Sequence, residues 1–140
     1  RNLSIMLKSR FSQFILVVFA SVVFHACVDD NNAEPDLPGA DRDKFVGNWL
    51  CKETITGTTP TTFTINIQKY GSNDSLVVYN FNNLGSPYYA YWIVSGNSVT
   101  IPAQTITQVA ISGTGIFNNS KINLSYNSDG ESVSAECTKQ

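Results

Sequence analysis

The sequence predicts an all-β fold, a small antiparallel up-and-down β-barrel of eight or so strands, for three reasons. Short stretches from residue 44 onward alternate apolar and polar side chains, which is the period of a half-buried strand. Turn residues follow at short intervals, and short connections join only neighbouring antiparallel strands. Past residue 44, no apolar pattern with the helical period of 3.6 residues continues for three turns. A sandwich of two sheets is the alternative that the pattern allows.

The strand pattern is clearest in the stretches 63–67, 77–81, 89–93, 122–126 and 133–137. The turn signals contain Gly, Asn, Asp and Ser, which suit tight hairpins because several of them tolerate a positive φ. These signals occur at 57–60, 71–74, 82–87, 95–97, 113–115, 118–119 and 127–130. One β domain is therefore expected at residues 44–140 of the 140-residue chain.

An apolar run, FSQFILVVFASVVF at residues 11–24, follows Lys8 and Arg10. A basic stretch before a short apolar run is the pattern of a secretory signal. The run is shorter than the roughly 20 apolar residues that a membrane-spanning helix needs. Met6 is a natural start for such a signal. A buried helix or an uncleaved anchor is the alternative interpretation.

The stretch Phe24-His25-Ala26-Cys27 resembles the lipobox of bacterial lipoproteins. The resemblance implies removal of residues 1–26 as a signal peptide and lipidation of Cys27, with palmitate as a typical acyl chain. Two acyl chains hold a protein at a membrane where one does not. The acidic residues after Cys27 resemble the export signal of Bacteroidetes surface lipoproteins. An outer membrane lipoprotein is expected, at the periplasmic face or the cell surface.

Residues 27–43 are expected to form a lipidated acidic tether between the anchor and the domain. They hold six carboxylates against the single cation of Arg42, and Pro35, Pro38 and Gly39 interrupt regular structure. High charge with little hydrophobicity predicts disorder. A calcium site is the alternative use of the carboxylates, but the EF-hand spacing is absent, and no metal site is predicted.

Gly47-Asn48-Trp49, in the first predicted strand, resembles the G-x-W signature of lipocalins. In that family the tryptophan closes one end of the barrel, and the glycine lets another strand approach. The domain is shorter than a usual lipocalin, and it is similar to the small lipocalin-like, or calycin-like, domains of Bacteroidetes lipoproteins. The resemblance implies a closed barrel with Trp49 at one end.

Cys51 and Cys137 are expected to form a disulfide bond. They lie on the first and last predicted strands, which are neighbours in a closed barrel, and both have inward parity. An exported protein also meets oxidising conditions. Two unpaired buried thiols are the alternative. The cysteine and tryptophan spacing of an immunoglobulin domain is absent.

Catalysis is not expected. His25 is the only histidine of the sequence and falls in the predicted signal peptide, so the mature chain is expected to lack an imidazole base. Among the carboxylates of the domain, only Glu53 continues the inward parity of Trp49 and Cys51, whereas glycoside hydrolysis uses a pair. Cofactors are not predicted, and no basic patch indicates nucleic-acid binding.

Aromatic residues cluster between positions 79 and 92. The candidate ligand-binding residues are Trp49, Tyr79, Phe81, Tyr89 and Tyr91. If they face inward, they line the barrel, which predicts an envelope protein, expected to be a monomer, that binds a small hydrophobic ligand without catalysis. A packed core is the alternative. The rival function is then a structural or adhesive surface accessory that binds a protein or glycan through its outer surface, where Tyr88 and Trp92 have outward parity.

Asp74-Ser75-Leu76 resembles the acceptor motif of Bacteroidetes protein O-glycosylation. The motif follows a predicted turn, where an enzyme can reach the hydroxyl group. The resemblance implies a glycosylation site at Ser75.

Overall fold

The computed structural model describes residues 40–140, which form a closed barrel of antiparallel strands. The strands are β1 (Gly47–Ile55), β2 (Thr61–Lys69), β3 (Ser75–Tyr79), β4 (Tyr89–Ser95), β5 (Ser98–Ile106), β6 (Val109–Asn118), β7 (Lys121–Ser128) and β8 (Glu131–Lys139). Two short 3₁₀ helices, η1 (Ala40–Arg42) and η2 (Phe81–Asn83), precede β1 and follow β3. The predicted all-β barrel is confirmed. Among residues 40–140, no helix is long and apolar enough to cross a membrane.

The predicted signal peptide, the lipidation site Cys27 and residues 28–39 of the predicted tether lie outside the described residues. The folded unit includes residues 40–43, which the sequence assigns to the tether. Arg42 is buried, and its guanidinium group donates to the backbone carbonyls of Tyr70, Gly71 and Ser75 at 3.2, 3.2 and 3.1 Å. These bonds hold η1 against the turn between β2 and β3.

Each strand pairs with its neighbours in the chain, and β1 also pairs with β8, which closes the barrel. Cys51 lies directly opposite Cys137 in the β1–β8 register, and the two residues form a disulfide bond. Both cysteines are buried. The predicted pairing is therefore confirmed. The parity argument worked because side chains that oppose each other in a register point to the same face.

The interior is built from alternate positions of the strands. In β1 the buried positions are Trp49, Cys51 and Glu53, and in β2 they are Phe63, Ile65 and Ile67. The largest side chains that are almost completely buried include Trp49, Trp92, Phe45, Phe81, Ile65, Ile67, Leu76, Ile101 and Ile122. The period-two pattern of the sequence thus becomes an apolar inner face and a polar outer face.

The turn predicted at 113–115 is wrong, because Gly113 lies within β6. A Cβ atom at this position would stand 2.4 Å from the Cβ of Tyr126 and 2.5 Å from the carbonyl oxygen of Ser125. Gly113 therefore permits β6 to approach β7, a use of glycine that a turn signal does not distinguish. The chain turns instead at Thr107 and Gln108, which have φ values of 48° and 75°.

Trp49 is buried on the inner face of the barrel near the start of β1. Its indole Nε1 donates to the carbonyl oxygen of Phe45 at 2.7 Å. The ring of Phe117 packs edge to face against both Phe45 and Trp49, with centroid distances of 5.7 and 6.3 Å. The ammonium group of Lys139 stands 5.4 Å from the centroid of the Trp49 ring. Apolar packing and a satisfied indole N–H thus coincide at this end.

Removal of the disulfide bond is expected to destabilise the barrel strongly. The bond links residues that are 86 positions apart, and a loop of that length corresponds to about 4.5 kcal/mol on the chain-entropy model. The double variant Cys51→Ala/Cys137→Ala should lose roughly this free energy of unfolding in a urea titration. Reduction of the unmodified chain serves as the control and should give a similar loss. An unchanged urea midpoint in both cases would show that the disulfide bond does not contribute to the free energy of unfolding.

Candidate functional site

The inside of the barrel near η2 is occupied by aromatic side chains. Phe81 enters from η2 and is buried, with its ring centroid 5.4 Å from that of Trp92 and 4.9 Å from that of Tyr126. Of the predicted ligand residues, Trp49 and Phe81 do face the interior. Both pack against neighbouring rings there.

The predicted inward orientation of Tyr89 and Tyr91 is wrong. These side chains are 41% and 37% exposed, whereas Trp92, which has the opposite parity, is completely buried. Tyr79 also faces outward, because it opposes Tyr89 in the register and residues that oppose each other share a face. The sequence misled because the apolar stretch 76–79 fits either orientation of β3. Leu76, not Val77, defines its inner face.

Four tyrosines on the outer wall are linked by contacts between their rings, and we call this set the tyrosine face. Its members are Tyr70, Tyr79, Tyr89 and Tyr91. Ring centroids are 5.0 Å apart for Tyr70 and Tyr91, 5.3 Å for Tyr89 and Tyr91, and 5.6 Å for Tyr79 and Tyr89. Val77 is only 7% exposed although it points outward and does not belong to the interior cluster. Val77 opposes Gln68 of β2 and Tyr91 of β4, so it forms an apolar position on the outer wall beside the tyrosine rings.

The hydroxyl groups of this face also interact. Hydrogen bonds with the side chains of Tyr89 and Tyr70 raise the pKa of Tyr91 above its ordinary value. Tyrosine is a neutral phenol at physiological pH, and its hydroxyl group can then both donate and accept hydrogen bonds. The tyrosine face thus combines apolar ring surfaces with a polar, uncharged group of hydroxyls.

The side chain of Gln104 replaces part of the β4–β5 ladder beside the tyrosine face. The register of β5 with β6 shifts between Ile101 and Gln104, and Pro102 between them has no N–H to donate. The amide oxygen of Gln104 accepts from the Tyr91 N–H at 2.8 Å, and its amide nitrogen donates to the Tyr91 carbonyl at 2.9 Å. Gln104 therefore fixes the backbone of Tyr91.

A groove lies next to the tyrosine face on the outer wall. It has a volume of about 520 Å³ and is lined by Thr64, Asn66, Gln68, Tyr79, Asn80 and Ser86. We call it the amide groove because its lining is rich in carboxamides. Hydrogen bonds of 2.7 Å link Gln68 to Asn66 and Asn66 to Asn48. Tyr79 belongs to both features, so they form one continuous surface.

Asn80 shapes the boundary of the groove. Its amide nitrogen donates to the carbonyl of Thr64 at 2.8 Å, and its amide oxygen accepts from the N–H of Gly85 at 2.8 Å. Asn80, Asn82 and Asn83 all have positive φ values, between 54° and 58°. Asparagine tolerates this conformation better than most residues. These asparagines turn the chain after β3 and direct Phe81 inward.

A polar cluster lies inside the barrel beneath η2. The Tyr126 hydroxyl donates a short hydrogen bond to the carboxylate of Glu53, which is 8% exposed, and lies 3.0 Å from the amide oxygen of Asn82. Asn82 in turn donates to the hydroxyl of Ser128 at 3.0 Å. Burial, followed by the bond to Glu53, raises the pKa of Tyr126. The predicted inward orientation of Glu53 is therefore confirmed.

Two further positions complete the set of candidate residues. Ser75 is the first residue of β3 and is half-buried, directly after the turn that Asp74 ends. The indole Nε1 of Trp92 is buried with no hydrogen-bond partner among residues 40–140. Within the same described range, no three His, Cys, Asp or Glu residues are grouped so that they could hold a metal ion.

A scan against models of protein families and a search of curated proteins found no match to this chain. Functional inference therefore rests on the residues of the chain and their geometry. The aromatic cluster was visible in the sequence, but the sequence placed Tyr79, Tyr89 and Tyr91 inside the barrel. Residues 76–79 of β3 are apolar on both faces, so the sequence alone does not show which face of this strand points outward.

Replacement of Tyr126 tests the buried cluster. Tyr126→Phe removes a donor from a buried carboxylate and should lower the free energy of unfolding at neutral pH by about 1–3 kcal/mol. The matched control is the same substitution in a Glu53→Gln background, where the cost should shrink because no charge stays buried. Equal costs in the two backgrounds would show that Glu53 and Tyr126 are not coupled.

The same variant should change the alkaline limit of stability. The raised pKa of Tyr126 means that its hydroxyl keeps its proton above pH 10 in the folded barrel, while the unfolded chain loses it. The contribution of Tyr126 to stability is thus complete below pH 10. Above pH 10 the free energy of unfolding falls by up to about 1.4 kcal/mol per pH unit for this one group. Tyr126→Phe should flatten this fall in urea titrations between pH 9 and pH 11. An unaltered slope would contradict the assignment.

Proposed function

We propose that this chain is an exported, lipid-anchored, non-catalytic binding protein whose barrel presents an outer binding surface. The anchor is Cys27, for which the lipobox resemblance and the acidic residues that follow are the support. Residues 28–39 then connect the lipid to the barrel at the outer membrane. The binding surface consists of the tyrosine face and the amide groove.

The main support for this proposal is the position of the tyrosines on the outer wall of the barrel. Single exposed tyrosines are common, but a contiguous exposed group of aromatic side chains marks an interaction site. The rings of Tyr70, Tyr79, Tyr89 and Tyr91 are already mutually packed. They therefore lose little conformational entropy when a ligand covers them. Tyrosine suits such a surface because it offers a large apolar ring and a polar tip.

A small hydrophobic ligand inside the barrel is the second candidate. One observation favours it, since the buried Nε1 of Trp92 lacks an acceptor among the described residues and a ligand oxygen would supply one. Native mass spectrometry of the chain purified from its own membranes discriminates between the candidates. A stoichiometric small molecule that leaves on unfolding would favour the interior site, and a bare mass would favour the outer surface.

Substitution of Cys27 tests the anchor. In bacteria fed an azide-tagged palmitate, the unmodified chain should incorporate the tag, and Cys27→Ala should incorporate none because the acyl-bearing thiol is gone. Asn31→Ala, a few residues further along, serves as the control and should label normally. Tag that persists in Cys27→Ala, or its absence from the unmodified chain, would refute lipidation at this residue.

Substitution of the tyrosine face tests the binding function. The full chain in lipid vesicles is passed over immobilised polysaccharides, glycoproteins and proteins from the extracellular matrix. Tyr89→Ala/Tyr91→Ala should reduce retention at least tenfold, on the order of the loss expected for two aromatic contacts. Ile116→Ala is the control, because Ile116 is also exposed but lies on β6. Equal retention of all variants, or no retention of the unmodified chain, would refute outer-face binding.

A further inference from the structure

We infer that the ligand of the outer surface is an uncharged glycan chain, which spans the tyrosine face and the amide groove. This inference rests on the proposed outer-face function and adds the chemical class of the ligand. It depends on the charge, the hydrogen-bonding capacity and the ring geometry of the surface.

The outer surface is uncharged. No residue of the tyrosine face or the amide groove carries a charge at neutral pH, since all are Tyr, Asn, Gln, Thr or Ser. Lys69, next to Tyr70 in the chain, forms an ion pair with Asp43. A charged ligand would therefore lose hydration without gaining an opposite charge on this surface. The surface favours a neutral ligand.

The tyrosine face and the amide groove place two kinds of contact side by side. Sugar rings have apolar C–H faces, which pack on the electron-rich faces of aromatic rings, and hydroxyl edges, which need hydrogen bonds. The tyrosine face offers the first kind of contact. The amide groove offers the second, because each carboxamide has two N–H donors and a carbonyl acceptor. Tyr79 joins the two, so one ligand can use both.

The bonds within the groove leave capacity for a ligand. Gln68 donates to Asn66 and Asn66 donates to Asn48, each through one described bond of its amide nitrogen. A second N–H of each amide remains, and these internal bonds fix the orientation of the carboxamides in advance. A ligand hydroxyl therefore meets aligned donors, which reduces the entropy lost on binding.

The inclination of the tyrosine rings restricts the shape of the ligand. Neighbouring rings of the tyrosine face are inclined by 61° for Tyr70 and Tyr91, 79° for Tyr89 and Tyr91, and 65° for Tyr79 and Tyr89. Such rings cannot all lie against one flat surface. Their centroid spacings are comparable to the length of one hexose unit. The face therefore suits a soluble, curved chain and does not suit the flat face of a crystalline polymer.

A proline-rich peptide is the other ligand that aromatic grooves commonly accept. Such grooves engage a peptide with rings and leave most of its backbone polar groups solvated. The 520 Å³ groove beside the rings is instead lined by carboxamide and hydroxyl groups. That lining matches a ligand with many hydroxyls, so we favour the glycan and treat the peptide as an outcome of the test.

Isothermal titration of the full chain in detergent micelles tests the inference. The probes are glycogen, dextran and xyloglucan as neutral glycans, alginate and heparin as charged ones, and a polyproline peptide. We expect binding of a neutral glycan that is unchanged between 0.05 and 0.5 M salt, because a neutral contact is not screened. Tyr89→Ala/Tyr91→Ala should weaken it at least tenfold, and Ile116→Ala less than twofold.

A milder variant guards against a folding defect. Tyr91→Phe retains the aromatic ring and its contacts with Tyr70 and Tyr89 and removes one hydroxyl group, so it should unfold at the same temperature and bind the glycan several-fold more weakly. Failure of every neutral glycan to bind overturns the inference, as does binding that high salt abolishes. If the peptide or a matrix protein then still binds through Tyr89 and Tyr91, the proposed outer-face function survives. If no glycan, peptide or matrix protein binds, both the glycan inference and the proposed outer-face function are wrong.

Discussion

The pairing of β1 with β8 is the interaction on which the rest of the structure depends. It joins the first strand to the last and leaves the sheet without a free edge. Cys51 and Cys137 oppose each other across this seam, so the covalent and the hydrogen-bonded closure coincide. Closure also fixes the interior, because the strand number of a barrel limits the space that its inward side chains share.

That limited space explains the division between inner and outer aromatics. Trp49 fills the end near η1, while Phe81 and Trp92 fill the region beneath η2. The tyrosines of β3 and β4 lie on the outer wall, where their rings are in contact with water. A ligand that covers these rings removes apolar surface from water, which favours binding. Leu76 and Trp92 thus point inward, while Tyr79, Tyr89 and Tyr91 point outward from the same two strands. Because the rings lie outside, we look for the ligand there.

The sequence was sufficient where a single physical rule acted. Alternation along the strands and short turns predicted antiparallel strands, and the positions of Cys51 and Cys137 on the first and last strands favoured a closed barrel and predicted their bond. It was insufficient where two rules competed. The stretch 76–79 is apolar on both faces, so its orientation depends on which side chains the closed interior can hold. Gly113 has the composition of a turn but serves close strand packing, and the outer surface emerges only from the registers of β2 with β3 and of β3 with β4.

The most direct test of outer-face binding is hydroxyl-radical footprinting of the full chain in lipid vesicles, read by mass spectrometry with and without saturating neutral glycan. We expect less oxidation of Tyr70, Tyr89 and Tyr91 when the glycan is present, and no change at the exposed Ile116. Unchanged oxidation of these tyrosines, together with a change around η2, would contradict outer-face binding and point to a ligand that enters the barrel.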